Sequence, residues 1–328
     1  MRRVFTALLA AAALATAYPS PADPLAHTYS IVARDPDTGE MGVAVQSHWF
    51  SVGSIVMWAE AGAGAIATQS FVDPGYGLRG LELLRQGLPA PEVLPKLVAA
   101  DAQRDVRQVA MIDTAGRVAV HTGAQAIAAA GHQVGRQYSV QANLMDNDRV
   151  WPAMADAFER ASGDLADRLL AALEAAERVG GDIRGRQSAA LLIVKATSTG
   201  RPWVGADRLF DLRVDDHPEP LEELRRLMRL QRAYDHANRG DELMSQEKVD
   251  EALKEYARAG EIAPEIAELP FWQAVTLASI GREAEAMPIF REVFRKEPQW
   301  ARLVPRLPAA KLLPNDDGLI ARILAAAK

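Results

Sequence analysis

Residues 28–47 read TYSIVARDPDTGEMGVAVQS. Two apolar, strand-like runs flank a turn rich in Asp, Pro, Thr and Gly, and this pattern predicts a β-hairpin. Thr28 stands at the head of the first predicted strand, and Gln46 and Ser47 end the second. The question for function is whether Thr28 is a reactive hydroxyl or only a strand residue.

The first 26 residues have the pattern of a secretory signal followed by a tether. Arg2 and Arg3 form the positive start, an apolar run follows to Ala15, and residues 15–17 offer an A-x-A cleavage site. The alternative is a short membrane anchor, but the run is shorter than the ~20 residues that a span needs. We therefore expect an exported protein, periplasmic or secreted, with residues 18–26 as a tether or a processed pro-segment.

The composition is that of a soluble globular protein. Of the 328 residues, 49% are hydrophobic and 24% are charged, and the formal net charge is −6. A negative balance argues against a nucleic-acid binder, which would usually show a basic face. The absence of cysteine excludes a Cys nucleophile and thiolate metal sites. No apolar run after the signal reaches spanning length, so we expect no membrane span once the signal is removed.

The first part of the chain, residues 27–226, reads as an α+β domain. Strand and helix patterns alternate with hairpins and few βαβ units, which favours antiparallel sheets covered by helices. The predicted strands after the opening hairpin are Val52–Trp58, Gly64–Thr68, Arg107–Asp113, Arg117–His121, Ser188–Ala196 and Phe210–Val214. The predicted helices are Leu78–Gln86, Pro91–Ala100, Arg149–Ser162 and Leu165–Val179, the last capped by Asp164.

The second part, residues 227–328, contains an internal repeat of 34 residues. The matched pairs are Leu243 with Leu277, Glu251 with Glu285, Ala252 with Ala286, Tyr256 with Phe290 and Pro264 with Pro298. This period and these positions are typical of tetratricopeptide repeats, and the alternative is a helical bundle with chance self-similarity. Since about three repeats are needed for stability, we expect the two to pack on the first domain or on residues 301–328.

Familiar cofactor and metal motifs are absent from the sequence. There is no P-loop, no GxGxxG after a strand, no GxSxG elbow and no HExxH. His48, His121, His132 and His217 are isolated, which favours structural or solvent-facing roles. We therefore expect no cofactor and no metal.

Polar side chains cluster where apolar runs end. Taken singly, each cluster is explained by turn chemistry or capping, but together they favour a polar pocket on a rigid scaffold. The clusters are Gln46-Ser47-His48, Thr68-Gln69-Ser70, Asp73-Pro74-Gly75-Tyr76-Gly77, Gln141-Ala142-Asn143 and residues 180–188, which read GGDIRGRQS.

These segments resemble the DUF1028 family over about residues 27–226, with residues 180–190 as the most specific stretch. That family is assigned to the N-terminal-nucleophile hydrolase superfamily. The resemblance implies a four-layer αββα sandwich, as in proteasome subunits and acylases, followed here by an all-α tetratricopeptide-like domain. It implies no established substrate.

The chemistry of that superfamily makes Thr28 the expected nucleophile. A terminal Thr carries its own base, because its α-amino group has a pKa near 7.7–8.0. Its hydroxyl attacks an amide carbonyl, and an oxyanion held by backbone N–H groups or an Asn precedes the acyl-enzyme. Asn143 is the candidate oxyanion donor, and Asp182 would orient the amine or the substrate. Ser30 is a second candidate nucleophile, and Ser47 with His48 is a third.

Further polar residues are candidates for binding the substrate. Arg184 and Arg186 could clamp a carboxylate, because guanidinium groups bind carboxylates in a bidentate manner. The complete set of substrate-binding candidates is Ser47, His48, Gln69, Asp73, Arg184, Arg186 and Gln187.

The mechanism requires Thr28 to be the first residue, whereas cleavage after Ala17 leaves ten residues ahead of it. Either a second cleavage frees Thr28, or the site works without a free amine, or the domain is not catalytic. The first hypothesis is an exported amide hydrolase acting on a small amide or peptide (γ-glutamyl, acyl-amino-acid or cell-wall derived, by fold analogy).

The alternative hypothesis is a non-catalytic protein that binds a small ligand or another protein. In either case the repeats could dock a protein partner. A homodimer through the Ala-rich helices at residues 149–179 stays open.

Overall fold

The computed structural model describes residues 25–327. Its strands are β1 Leu25–Ala26, β2 Thr28–Arg34, β3 Met41–Ser47, β4 Met57–Glu60, β5 Gly64–Phe71, β6 Arg107–Asp113, β7 Val118–Thr122, β8 Gly131–Gly135, β9 Tyr138–Ala142, β10 Ser188–Val194 and β11 Arg208–Val214. Its α-helices are α1 Gly53–Val56, α2 Gly75–Arg85, α3 Ala90–Ala100, α4 Val150–Arg160, α5 Leu165–Arg178, α6 Pro220–Ser245, α7 Val249–Ile262, α8 Glu268–Ser279, α9 Glu283–Lys296 and α10 Asp317–Ala325. Short 3₁₀ segments lie at Arg104–Val106, Pro298–Arg302 and Val304–Arg306.

Within the described residues, the strands form two antiparallel sheets. The five-stranded sheet has the order β1-β5-β6-β7, with β4 also paired to β5, and the six-stranded sheet has the order β11-β10-β3-β2-β9-β8. The predicted opening hairpin is confirmed as β2–β3, in which Thr28 faces Ser47. The predicted hairpin β6–β7 is confirmed as well, with Ala110 opposite Val120.

Helices cover the outer face of each sheet, and apolar side chains fill the space between the sheets. On β2, Tyr29, Ile31 and Ala33 pack toward α4 and α5, whereas Val32 packs toward the other sheet. This division follows from the two-residue period of a strand. Helices α2 and α3 cover the five-stranded sheet in the same way. The order of layers is helix, sheet, sheet, helix.

Two local predictions differ from the structure. The predicted strand Val52–Trp58 is the short helix α1 followed by β4. Val52 and Val56 are both buried between the sheets, because one helical turn brings residues four apart to the same side. The hairpin β8–β9 was not predicted, since β8 has glycine at both ends and three exposed residues between them.

The predicted cap of α5 is confirmed, with the Asp164 carboxylate accepting from the backbone N–H of Asp167 at 2.9 Å.

Helix α6 runs without a break through the domain boundary predicted at residue 226. Leu221, Leu224 and Met228 of its first half pack in the core that covers the six-stranded sheet. Leu243 near its end packs with Ala252 and Tyr256 of α7. A single helix therefore contributes to the cores of both parts.

The helices after α6 follow the 34-residue period of the sequence. Helices α7 and α9 have 14 residues each and start at residues 249 and 283, which are 34 apart. Ala252 and its equivalent Ala286 are buried, as are Tyr256 and its equivalent Phe290. Residues of the segment after α9, including Val304, Leu319 and Ile323, lie in the same core as α8 and α9.

The predicted signal sequence and most of the predicted tether lie outside the described residues. Of the tether, only its last two residues are described. Leu25 and Ala26 form β1, which pairs with β5 opposite Phe71 and Ser70. Between residues 25 and 327, no helix has both the length and the apolar character that crossing a bilayer requires.

Candidate functional site

Polar side chains fill one end of the space between the two sheets. On β2, Thr28 and Ser30 share the face of Val32, and on β6, Gln108 shares the face of Ala110. The polar members of this layer are all fully buried: Thr28, Ser30, Ser47, Gln69, Gln108, Gln141 and Asn143. The apolar residues of the same strands fill the other end, so the sequence of each strand changes from polar to apolar along the layer.

The buried glutamines form a continuous hydrogen-bonded network. Ser30 Oγ donates to Gln69 Oε1 at 2.5 Å and accepts from Gln141 Nε2 at 2.6 Å. Gln69 Nε2 and Asn143 Nδ2 both donate to Gln108 Oε1, at 2.7 and 2.9 Å. A satisfied buried network of this kind holds its members in one arrangement. The Ser30 hydroxyl is thereby engaged both as donor and as acceptor.

Thr28 lies at the edge of this network. Its Oγ1 donates to the carbonyl oxygen of Ala26 at 2.8 Å. The carbonyl oxygen of Thr28 accepts from Gln69 Nε2 and from the backbone N–H of Asn143, both at 3.1 Å. The backbone nitrogen of Thr28 belongs to the peptide bond with His27, so in this form of the chain it is not a free amine.

Two side chains donate to one carbonyl oxygen next to the Thr28 hydroxyl. The carbonyl oxygen of His27 accepts from Ser47 Oγ at 2.5 Å and from Arg184 Nη2 at 2.6 Å. Asp182 fixes the Arg184 guanidinium, accepting from Nε at 3.0 Å and from Nη2 at 2.7 Å. Two donors fixed on one carbonyl oxygen can stabilise the negative charge that develops when a nucleophile attacks that carbonyl.

The His27 side chain occupies a small recess beside this carbonyl. Its Nδ1–H donates to Asn143 Oδ1 at 2.8 Å, and its ring packs edge-on against Phe71 with 5.8 Å between centroids. Burial lowers the pKa of the His27 imidazole, partly opposed by the hydrogen bond to Asn143. Asn143, predicted as an oxyanion donor, thus contacts the ring, and Ser47 and Arg184 contact the carbonyl.

The predicted substrate-binding residues Asp73 and Gln187 make their hydrogen bonds outside this network. Asp73 lies two residues before α2, where Oδ1 accepts from the Gly75 backbone N–H at 2.7 Å and Oδ2 pairs with Arg79 at 2.8 Å. Gln187 donates to Asp216 at 3.2 Å. Neither side chain shares a hydrogen bond with Thr28 or its network.

His48 follows the end of β3 and Arg186 precedes the start of β10, so both lie at the same end of the six-stranded sheet. His48 is exposed, and its ring contacts the Arg186 carbonyl oxygen at 3.3 Å. The Arg186 guanidinium is already paired with Glu177, at 2.7 Å, and with Glu219. With two carboxylates on its guanidinium, Arg186 is occupied before any substrate arrives.

Sequence reasoning missed two residues that organise the region, Gln108 and Glu177, and gave Gln141 no role beyond its polar cluster. Gln108 and Gln141 connect the network across the two sheets, and the period-two pattern of β6 and β9 could have placed both side chains inward. Glu177 of α5 lies on the other face of the six-stranded sheet, where it accepts from Tyr29 OH and Gln46 Nε2, both at 2.7 Å. No local pattern marks Glu177, which reads as one of the charged residues of an amphipathic helix.

The part of the chain from residue 25 to residue 327 contains no cluster of His, Asp and Glu side chains that could hold a metal ion. The side chains that meet at the site carry hydroxyls, amides, the His27 imidazole and one guanidinium–carboxylate pair.

Comparison with known proteins identifies the first part of the chain. The profile of a family of unknown function, DUF1028, matches residues 28–224. The crystal structure of a DUF1028 protein from Silicibacter pomeroyi is similar, with 32% sequence identity and a TM-score of 0.55 over 62% of this chain and 84% of that one. A search of curated proteins found no match. The matched range contains the whole polar network, and the chain belongs to the DUF1028 family.

Proposed function

We propose that the protein is an N-terminal-nucleophile-type amide hydrolase in which Thr28 becomes the nucleophile after cleavage of the His27–Thr28 bond. One observation carries the proposal: the carbonyl oxygen of His27 is held by Ser47 and Arg184 immediately before a buried threonine hydroxyl. The order of layers, helix, sheet, sheet, helix, agrees with the αββα sandwich of that superfamily.

The cleavage that exposes Thr28 is an intramolecular acyl shift. The Thr28 hydroxyl leaves its hydrogen bond to Ala26 and attacks the carbonyl carbon of His27. The C–N bond breaks, the hydroxyl proton ends on the departing nitrogen, and an ester joins His27 to Thr28 Oγ1. Water then hydrolyses the ester, leaving a carboxylate on His27 and a free α-amine on Thr28. Ser47 and Arg184 hold the oxyanion in both steps.

The mature reaction uses the same donors on a substrate carbonyl. The free α-amine takes the hydroxyl proton, Thr28 Oγ1 attacks the amide, and the amine product leaves with that proton. Water completes the cycle by hydrolysing the acyl-enzyme ester. We further propose export to the periplasm or medium, a proposal supported by the signal-like pattern of residues 1–17.

The proposal is tested by mass spectrometry of the purified full chain and by amidase assays. We expect a chain that begins at Thr28, retention of the residues before it in Thr28→Ala, and slower processing in Thr28→Ser. If the wild-type chain keeps His27, and if Thr28→Ala hydrolyses amides as well as wild type does, the proposal is wrong.

We also propose that the helical region is a tetratricopeptide-type module for docking a protein partner or a second copy of the chain. The proposal is supported by the 34-residue offset of α7 and α9 and by the matched buried positions Ala252 and Ala286. Light scattering of the purified full chain separates the two cases, since only the second gives a dimer without an added partner.

A further inference from the structure

The segment before Thr28 lies on one edge of β5. Strand β6 pairs with β5 from Gly64 to Ser70 along one edge. On the other edge, β4 covers Gly64–Ala67 and β1 covers Ser70 and Phe71. Once cleavage at His27 releases the segment, Ser70 and Phe71 become an unpaired strand edge directly beside Thr28.

The backbone at this edge is strained. Ser70 has a φ of +73°, and its fully buried hydroxyl has no hydrogen-bond partner among residues 25–327. A non-glycine residue in the left-handed region and an unpaired buried hydroxyl both cost stability, and such features concentrate at functional sites. The positive φ and the unpartnered hydroxyl of Ser70 are thus a second observation, independent of the pairing with β1, that indicates a binding site at this strand edge.

The His27 ring contacts two uncharged groups, the amide oxygen of Asn143 and the ring of Phe71, and these two contacts define its recess. The nearby Arg184 guanidinium makes three hydrogen bonds to Asp182 and His27 through Nε and Nη2, so its charge is already matched by Asp182. A flat, uncharged side chain with an N–H donor fits this recess, whereas a carboxylate would face the Asn143 oxygen.

We propose that the released segment marks the acyl-side subsite of the enzyme, and that the substrate is an extended peptide cleaved after a neutral, N–H-bearing residue such as histidine. This inference rests on the proposed function. The second and third residues before the cleaved bond pair with Ser70 and Phe71 as an added strand, as Ala26 and Leu25 do here. The residue whose carbonyl is attacked takes the place of His27, with its carbonyl oxygen on Ser47 and Arg184. Thr28 Oγ1 forms the ester, the C–N bond breaks, and the amine leaves with the hydroxyl proton.

The experiment uses the chain that begins at Thr28, made as a fusion that a protease removes. Its folding is checked by thermal denaturation, because removing the segment takes the buried Ala26 out of the core between the sheets. Fluorogenic amides of acetyl-Leu-Ala-His, acetyl-Leu-Ala-Glu and acetyl-His are compared by kcat/KM. We expect kcat/KM for the acetyl-Leu-Ala-His amide to exceed that for the acetyl-Leu-Ala-Glu amide by roughly tenfold or more, a ratio that a specific polar contact can give. We expect kcat/KM for the acetyl-His amide to be lower than for the acetyl-Leu-Ala-His amide.

A pair of variants tests the recess directly. Phe71→Ala should reduce the preference for His over Glu, a ratio that a general loss of stability would not change. Trp203→Ala is the matched control, because Trp203 is an exposed aromatic residue on the connection between β10 and β11. Equal His/Glu ratios in wild type and Phe71→Ala would overturn the assignment of the recess.

Binding of the product acid acetyl-Leu-Ala-His, measured by calorimetry, separates the two proposals. Binding without turnover of any amide supports the subsite and contradicts the hydrolase. Turnover of acetyl-His amide equal to that of the tripeptide amide supports the hydrolase and contradicts the subsite. If the protein shows neither binding of the product acid nor turnover of any amide, both proposals are wrong.

Discussion

Arg184 donates to the carbonyl oxygen of His27 over 2.6 Å, although 157 positions separate the two residues in the chain. The contact depends on Asp182, which accepts from the Arg184 amide at 3.0 Å and from its guanidinium. A short loop with two adjacent glycines, Gly180 and Gly181, leads into this pair. The most specific stretch of the family resemblance is therefore the stretch that contacts the bond before Thr28.

Replacing Arg184 should slow the release of Thr28. Loss of one oxyanion donor reduces rates by about 10²–10³-fold, and we expect this reduction for Arg184→Ala. Arg184→Lys keeps a positive donor and should retain part of the rate. The measurement is the fraction of chains beginning at Thr28 over time, by mass spectrometry.

Arg160→Ala is the control for this series, because Arg160 is an exposed arginine of α4 that pairs with Asp156, away from Thr28 and its network. Processing of Arg184→Ala at the wild-type rate would exclude Arg184 from the reaction.

Much of the architecture around the site follows from local sequence. The hairpin β2–β3, the hairpin β6–β7 and the Asp164 cap were each predicted from patterns a few residues long, and the structure has all three. The DUF1028 membership was also predicted from the residues, and the family profile confirms it. Short-range turn and capping chemistry is sufficient for such features.

The convergence of the polar residues could not be predicted in the same way. Gln69 and Gln108 lie on one sheet and Ser30 on the other, so their contact depends on how two sheets pack. The prediction of a tether over residues 18–26 was wrong for its last two residues, for a similar reason. Leu25 and Ala26 follow a proline-rich stretch without periodicity, and they form a strand because the edge of β5 is there to pair with.

Gln108 should be the most sensitive member of the network for stability. Its Oε1 accepts from Gln69 and Asn143, and its Nε2 donates to Thr122 Oγ1 and the Ala142 carbonyl, both at 2.9 Å. Gln108→Leu has a similar size but removes the acceptor of one N–H of Gln69 and one of Asn143, at about 1–3 kcal/mol for each buried group left unsatisfied. We expect the free energy of unfolding, measured with urea, to fall by several such contributions.

Gln133→Leu is the matched control, since Gln133 is an exposed residue of the edge strand β8. Equal destabilisation by the two substitutions would show that the network contributes little.

The stability of the unprocessed chain should depend on the His27 imidazole. Burial lowers the pKa of His27 in the native state, whereas in the unfolded chain it is about 6.5. Between these values the unfolded chain binds more protons than the native chain, so the free energy of unfolding falls as pH falls below about 6.5. Thr28→Ala keeps the segment in place, and adding His27→Gln should make this decline shallower.

The measurement is thermal denaturation of both proteins across that pH range. His132, whose pKa is also lowered by burial, is present in both and cancels in the comparison. Identical pH dependence in the two proteins would contradict a native-state pKa shift at His27.

Two helical glycines offer a matched test of the packing between α6 and α7. A Cβ at Gly240 would lie 2.5 Å from the Tyr256 ring, which is held in place by a hydrogen bond from its hydroxyl to Asp241 at 2.6 Å. A Cβ at Gly260 would meet no atom within 4 Å. We expect Gly240→Ala to destabilise by about 1–3 kcal/mol through overpacking, and Gly260→Ala to stabilise by about 0.5–1 kcal/mol through helix propensity. Chemical denaturation measures both free energies of unfolding. Tyr256 occupies the repeat position of Phe290, so the contact between α6 and Tyr256 is part of the repeat packing. Stabilisation by Gly240→Ala would contradict this close helix contact.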